Sequence, residues 1–66
     1  MLAKGDRVKI KTDWLPKEAK KCVAVVDNFQ KCGTIQYVKV KWLGKNAEAI
    51  TEDCGVLFSE DEIVLL

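Results

Sequence analysis

The chain has no histidine, one proline and five aromatic residues in 66 positions. Without histidine, zinc sites built from Cys and His are excluded, and so is the commonest general base of enzyme active sites. Cysteine is sparse and oddly counted: Cys22, Cys32 and Cys54 are widely spaced and form no CxxC pair. A secreted disulfide framework normally carries an even set, so these read as reduced thiols. No apolar run approaches the roughly 18 residues that a membrane-spanning helix needs. The opening "MLAKGDRVKI" has no apolar segment of the kind a secretory signal carries. The expectation is a cytoplasmic protein with no membrane contact.

What is present suits one small folded domain over residues 1–66. Hydrophobic residues at 48% and charged residues at 32% lie far from the composition of disordered chains. Charge is distributed unevenly. Residues 1–45 hold eleven basic and four acidic side chains, a net +7, and residues 46–66 hold six acidic and none basic, a net −6. The two sum to the overall +1. Strong nucleic-acid binders show a basic excess over the whole domain, which is absent here.

The hydrophobic periodicity is that of strands. "RVKIK" places Val8 and Ile10 on one face and Arg7, Lys9 and Lys11 on the other, after a Gly5–Asp6 turn. "CVAVV" (22–26) is apolar and β-branched without alternation, which predicts a strand buried on both faces. "YVKVKW" turns Val38, Val40 and Trp42 one way and Tyr37, Lys39 and Lys41 the other. "VLF" (56–58) and "IVLL" (63–66) are brief strands. About five short strands predict an all-β small barrel, closed or partly closed, an arrangement that disposes of exposed sheet edges.

The connections are predicted as follows. "DNFQKCG" (27–33) joins the second and third strands, with Asn28 and Gly33 suited to positive φ. "LGKN" (43–46) is a hairpin turn into a weak strand "AEAIT" (47–51). "TDWLPKEAKK" (12–21) is either an open loop or a short helix capped by Asp13, with Pro16 in its first turn. In "FSEDEIVLL", Ser59 and Glu62 have the spacing of a capping box, and Glu60 and Asp61 suit the first turn of a helix. These carboxylates therefore read as a one-turn helix redirecting the chain, not as a catalytic or metal cluster. No catalytic residues, metal ligands, cofactor or small-molecule substrate are expected.

Three stretches resemble the SH3-like small barrels, the broad group containing KOW, Tudor and chromo-type domains. "KGDRVKI" is similar to their opening strand, "YVKVKWLGK" to their central strand and hairpin, and "LFSEDEIVLL" to their ending, an aromatic followed by a one-turn 3₁₀-helix and a last strand. The resemblance implies a single barrel whose second and last strands flank the first. It carries no particular ligand. Cys22 stands where KOW-type domains place glycine, and "ITEDCGVLF" has no tryptophan to complete a chromodomain-like aromatic cage. Five aromatics are few for an SH3 polyproline groove.

Candidate binding residues follow from side chains that the strand pattern leaves outside. Trp42 and Phe58 read as core. Trp14, beside Leu15 and Pro16 in the long connection, is either a lid on the barrel end or an exposed interface anchor. Ile35, Tyr37, Lys39 and Lys41 share an outward strand face, either simply solvated or a platform for nucleic acid. Apolar residues predicted on the outside, Cys22, Ala24, Val26, Val64 and Leu66, beside Arg7, Lys9 and Lys11, suit a protein interface. The function expected is a non-enzymatic binding module. Its partner is a protein or a second copy of the chain, contacted through Trp14, Leu15, Tyr37, Lys39, Lys41, Val64 and Leu66. The alternative is nucleic-acid binding through Lys9, Lys11, Lys39, Lys41 and Tyr37. The small size also suits a phage or mobile-element gene product.

Overall fold

A computed structural model describes residues 2–66. Five strands form one antiparallel sheet: β1 (Arg7–Ile10), β2 (Ala24–Cys32), β3 (Ile35–Trp42), β4 (Leu57–Ser59) and β5 (Ile63–Leu65). Their order is β4-β3-β2-β1-β5, so β1 lies between β2 and β5, while β4 and β5 are edges that do not pair with each other. The hydrogen-bonded sheet is therefore open. Two short helices, α1 (Lys17–Lys21) and α2 (Ala47–Cys54), and a 3₁₀ turn at Glu60–Glu62 complete the chain. Among the described residues, no helix is long and apolar enough to cross a membrane.

The alternating strands bury the residues that their period selects. Val8 and Ile10 of β1, Val38, Val40 and Trp42 of β3, Phe58 of β4 and Ile63 of β5 all point into one core. Ile50 of α2, Ala19 of α1 and Leu15 just before α1 join the same cluster. The helices thus supply the second layer that a sheet needs to keep its apolar face from water. Each large aliphatic or aromatic side chain so buried contributes on the order of 2 kcal/mol.

Several connections differ from the sequence expectation. Residues 27–32 are strand, not loop: β2 runs to Cys32 and only Gly33–Thr34 turn the hairpin, with Gly33 at φ 64°. A bulge between Val26 and Asn28 carries the strand past its polar pair. Asn28 keeps a negative φ, and its side-chain oxygen accepts the Phe29 amide at 2.9 Å. The weak strand expected at 47–51 is instead helix α2. Ala47, Ile50 and Cys54 lie at helical spacing and turn toward the core. α1 is present, but Pro16 occupies its N-cap position without a side-chain cap, so Asp13 does not serve there. The strand "CVAVV" is not buried on both faces: Ala24 and Val26 are inside, whereas Val23 and Val25 remain half-buried.

The 3₁₀ turn forms as its spacing requires. The Ser59 amide and hydroxyl each donate to the Glu62 carboxylate at 3.1 Å, in the capping box that starts the turn. The Glu62 carboxylate holds a bend between two edge strands.

Candidate partner-binding face

Because side chains alternate across a strand, the faces of the sheet can be read from its register. On the face away from the core, Lys41 of β3 lies opposite Val25 of β2, and Val25 lies opposite Arg7 of β1. The Leu66 amide donates to the Arg7 carbonyl at 3.0 Å, which carries this row past β5 to the chain end. Lys9 lies opposite Val64. Farther along β3, Lys39 has Asn28 on one side and Leu57 on the other, and Tyr37 has Gln30 and Ser59.

The result is a surface on which cations and apolar side chains interleave. Arg7, Lys9, Lys39 and Lys41 are exposed, as are Leu57, Val64 (41%) and Leu66 (61%), while Val25 and Tyr37 are half-buried. Acidic groups lie mostly elsewhere: Glu48, Glu52 and Asp53 on α2, and Glu60, Asp61 and Glu62 in the 3₁₀ turn. Among the described residues Asp27, at the bulge, is the only carboxylate borne by the strands. The cations of this face come from the basic part of the chain, while the carboxylates of the acidic part lie on α2 and in the 3₁₀ turn.

The predicted binding residues divide three ways. Tyr37, Lys39, Lys41, Val64 and Leu66 do share this face. Leu15 does not: it is 4% exposed and packs in the core under α1. Ala24 and Val26, expected outside, face the core at 0% and 1% exposure. Trp14 belongs to the opposite layer, where it covers part of the core. Its ring stacks on buried Phe58, with centroids 6.2 Å apart and planes at 16°, yet it stays 59% exposed. Sequence reasoning did not place Val25 or Leu57 on the binding face. The signal for each was its register opposite a lysine, which requires knowing the strand pairing.

A depression of about 190 Å³ lies between the helices, lined among others by Glu18, Ala19, Ile50, Asp53 and Cys54. All three cysteines are free thiols. Partial burial, with the Asp53 carboxylate adding to it, pushes the Cys54 thiol above its ordinary pKa. A raised pKa means less thiolate at a given pH, and thiolate is the reactive form. Alkylation at pH 8, followed by peptide mass mapping, should label exposed Cys32 well before Cys54, and Asp53→Asn should speed labelling of Cys54. Equal rates at the two positions would contradict this placement.

No protein-family model matches the chain, and no characterised protein or solved structure is similar enough to count as a match. Among the described residues, no three metal-ligating side chains converge.

Proposed function

We propose that the protein is a non-enzymatic binding module of the SH3-like barrel class, acting in the cytoplasm, that docks a protein partner through its outer sheet face. The order β4-β3-β2-β1-β5 and the 3₁₀ turn ahead of the last strand support the barrel reading. The observation that carries the functional reading is the row Lys41–Val25–Arg7–Leu66 with Lys9–Val64 beside it. Its cations call for an acidic partner. Its apolar members would be left in water by a purely ionic ligand, so the fitting partner offers carboxylates interleaved with apolar side chains. Cations at the rim would chiefly set association rate and specificity, and the apolar centre would hold the complex together.

Nucleic acid is the competing ligand, favoured by Tyr37 in line with Lys39 and Lys41. Affinity capture with the whole chain, with and without nuclease and with Arg7→Glu/Lys41→Glu in parallel, separates the two. The proposal expects an acidic protein to be retained after nuclease and reduced by about tenfold or more with the double variant, since reversed charges repel where the originals attracted. Retention that disappears with nuclease, with affinity falling steeply and linearly in log salt, would instead assign the face to nucleic acid.

A further inference from the structure

A groove of about 460 Å³ opens where the outer face meets the connection after β1. One bank is the β1 end, with Lys9 and Lys11 two residues apart and so on the same side of the chain. The other bank is α1, which contributes Lys20. Val64 forms an apolar wall, and Asp13 is the one carboxylate in the lining. Three ammonium groups against one carboxylate leave +2. Thr12 also lines the groove, and its hydroxyl oxygen is buried with no hydrogen-bond partner. An orphaned buried hydroxyl costs on the order of 1–3 kcal/mol. Because that oxygen is buried, it reaches a ligand in the groove only after rotation about χ1.

We propose that this groove binds a phosphomonoester dianion carried on a side chain of the partner protein. Lys9, Lys11 and Lys20 surround the phosphate, the Thr12 hydroxyl donates to it, and Val64 packs on the stem that bears it. The carrier's being a protein rests on the docking reading above, because the groove shares Lys9 and Val64 with that face. The anion class rests on the groove itself. A phosphomonoester carries about −1.5 to −2 at pH 7 and three acceptor oxygens, matching the net charge and the three ammonium groups. A single carboxylate leaves cations uncompensated, and a phosphodiester link of nucleic acid brings only one charge.

The test is an amide chemical-shift titration of the full chain at constant ionic strength, using O-phosphoserine, succinate and a dinucleotide with no terminal phosphate. Saturable shifts confined to residues 9–13 and 20 are expected with O-phosphoserine, at about tenfold higher affinity than with either comparator. Lys11→Gln/Lys20→Gln should weaken binding by about tenfold, and Thr12→Val by less. Equal affinity for succinate, tighter binding of the dinucleotide, no saturation, or indifference to the lysine variant would each overturn the proposal. Lys31→Gln/Lys45→Gln, remote from the groove lining, should leave this titration unchanged. A saturable titration alongside failed partner capture therefore sinks the docking reading alone, and a flat titration alongside successful capture sinks the groove alone.

Discussion

Phe58→Ala is expected to remove most of the domain's stability. The Phe58 ring is 1% exposed, meets Trp42 edge-on with centroids 5.9 Å apart, and carries Trp14 on its outer side. Truncating such a ring costs about 3–5 kcal/mol through lost burial and the cavity left behind. At 0.05–0.15 kcal/mol per residue, a chain of 66 residues has roughly 3–10 kcal/mol in all. Urea unfolding followed by tryptophan fluorescence should show the midpoint collapsing toward zero denaturant, with the fixed tryptophan environment lost. Trp14→Ala offers the contrast: it removes a half-exposed stacking partner, and aromatic pairs contribute only about 0.5–1.5 kcal/mol beyond area burial. If the two variants were equally stable, the central position of Phe58 would be wrong.

Gly55→Val is expected to be nearly as damaging, although nothing crowds the site. Gly55 adopts φ 78° and ψ −171°, a backbone region essentially reserved for glycine. A Cβ there would meet no atom within 4 Å, so the penalty is conformational and not steric. Forcing a side chain into that region costs on the order of 1–3 kcal/mol. The residue also joins two elements: its amide donates to the Thr51 carbonyl at the end of α2, and its carbonyl accepts the Trp42 indole N–H at 2.9 Å. Relief of the strain would pull that carbonyl away and leave a buried indole donor unpaired. A melting point lowered by about 10 °C, with a changed near-ultraviolet tryptophan signal, is the outcome expected for a domain of this size. A melting point within a degree or two of the parent would refute the conformational argument.

The parts of the fold legible in the sequence are those where one period dominates. β1 and β3 alternate cleanly, and Val8, Ile10, Val38, Val40 and Trp42 are buried as that alternation requires. The Ser59–Glu62 turn carries its own capping chemistry and needs no tertiary context. Legibility fails where local signals conflict. Asp27–Asn28 has turn chemistry, but the pairing with β3 continues beyond it through a bulge, which also shifts the inside–outside parity of every residue that follows. A continuous apolar run such as "CVAVV" offers no parity at all, so assigning Ala24 and Val26 to the outside had no physical basis. α2 is eight residues long with a single fully buried side chain, Ile50, too little amphipathicity to outweigh a strand reading.

The candidate face divides along the same line. Exposed Val64 and Leu66 could be anticipated because a small sheet has only one inside, and Tyr37, Lys39 and Lys41 because β3 alternates. Arg7 is expected beside Val64 and Leu66 from the resemblance, whereas their further neighbours Val25 and Leu57 come from β2 and β4. Only the register brings these together, and register is a long-range property that no local window contains.

Lysine footprinting of the captured complex tests the docking claim most directly. Acetylation of the free protein and of the complex, quantified peptide by peptide, compares Lys9, Lys39 and Lys41 on the outer face with Lys4, Lys31 and Lys45 away from the Lys41–Arg7 row. The account predicts strong protection of the first three and little change in the others. Unprotected Lys39 and Lys41, with protection confined to Lys31 or Lys45, would contradict it and move the interface off this face.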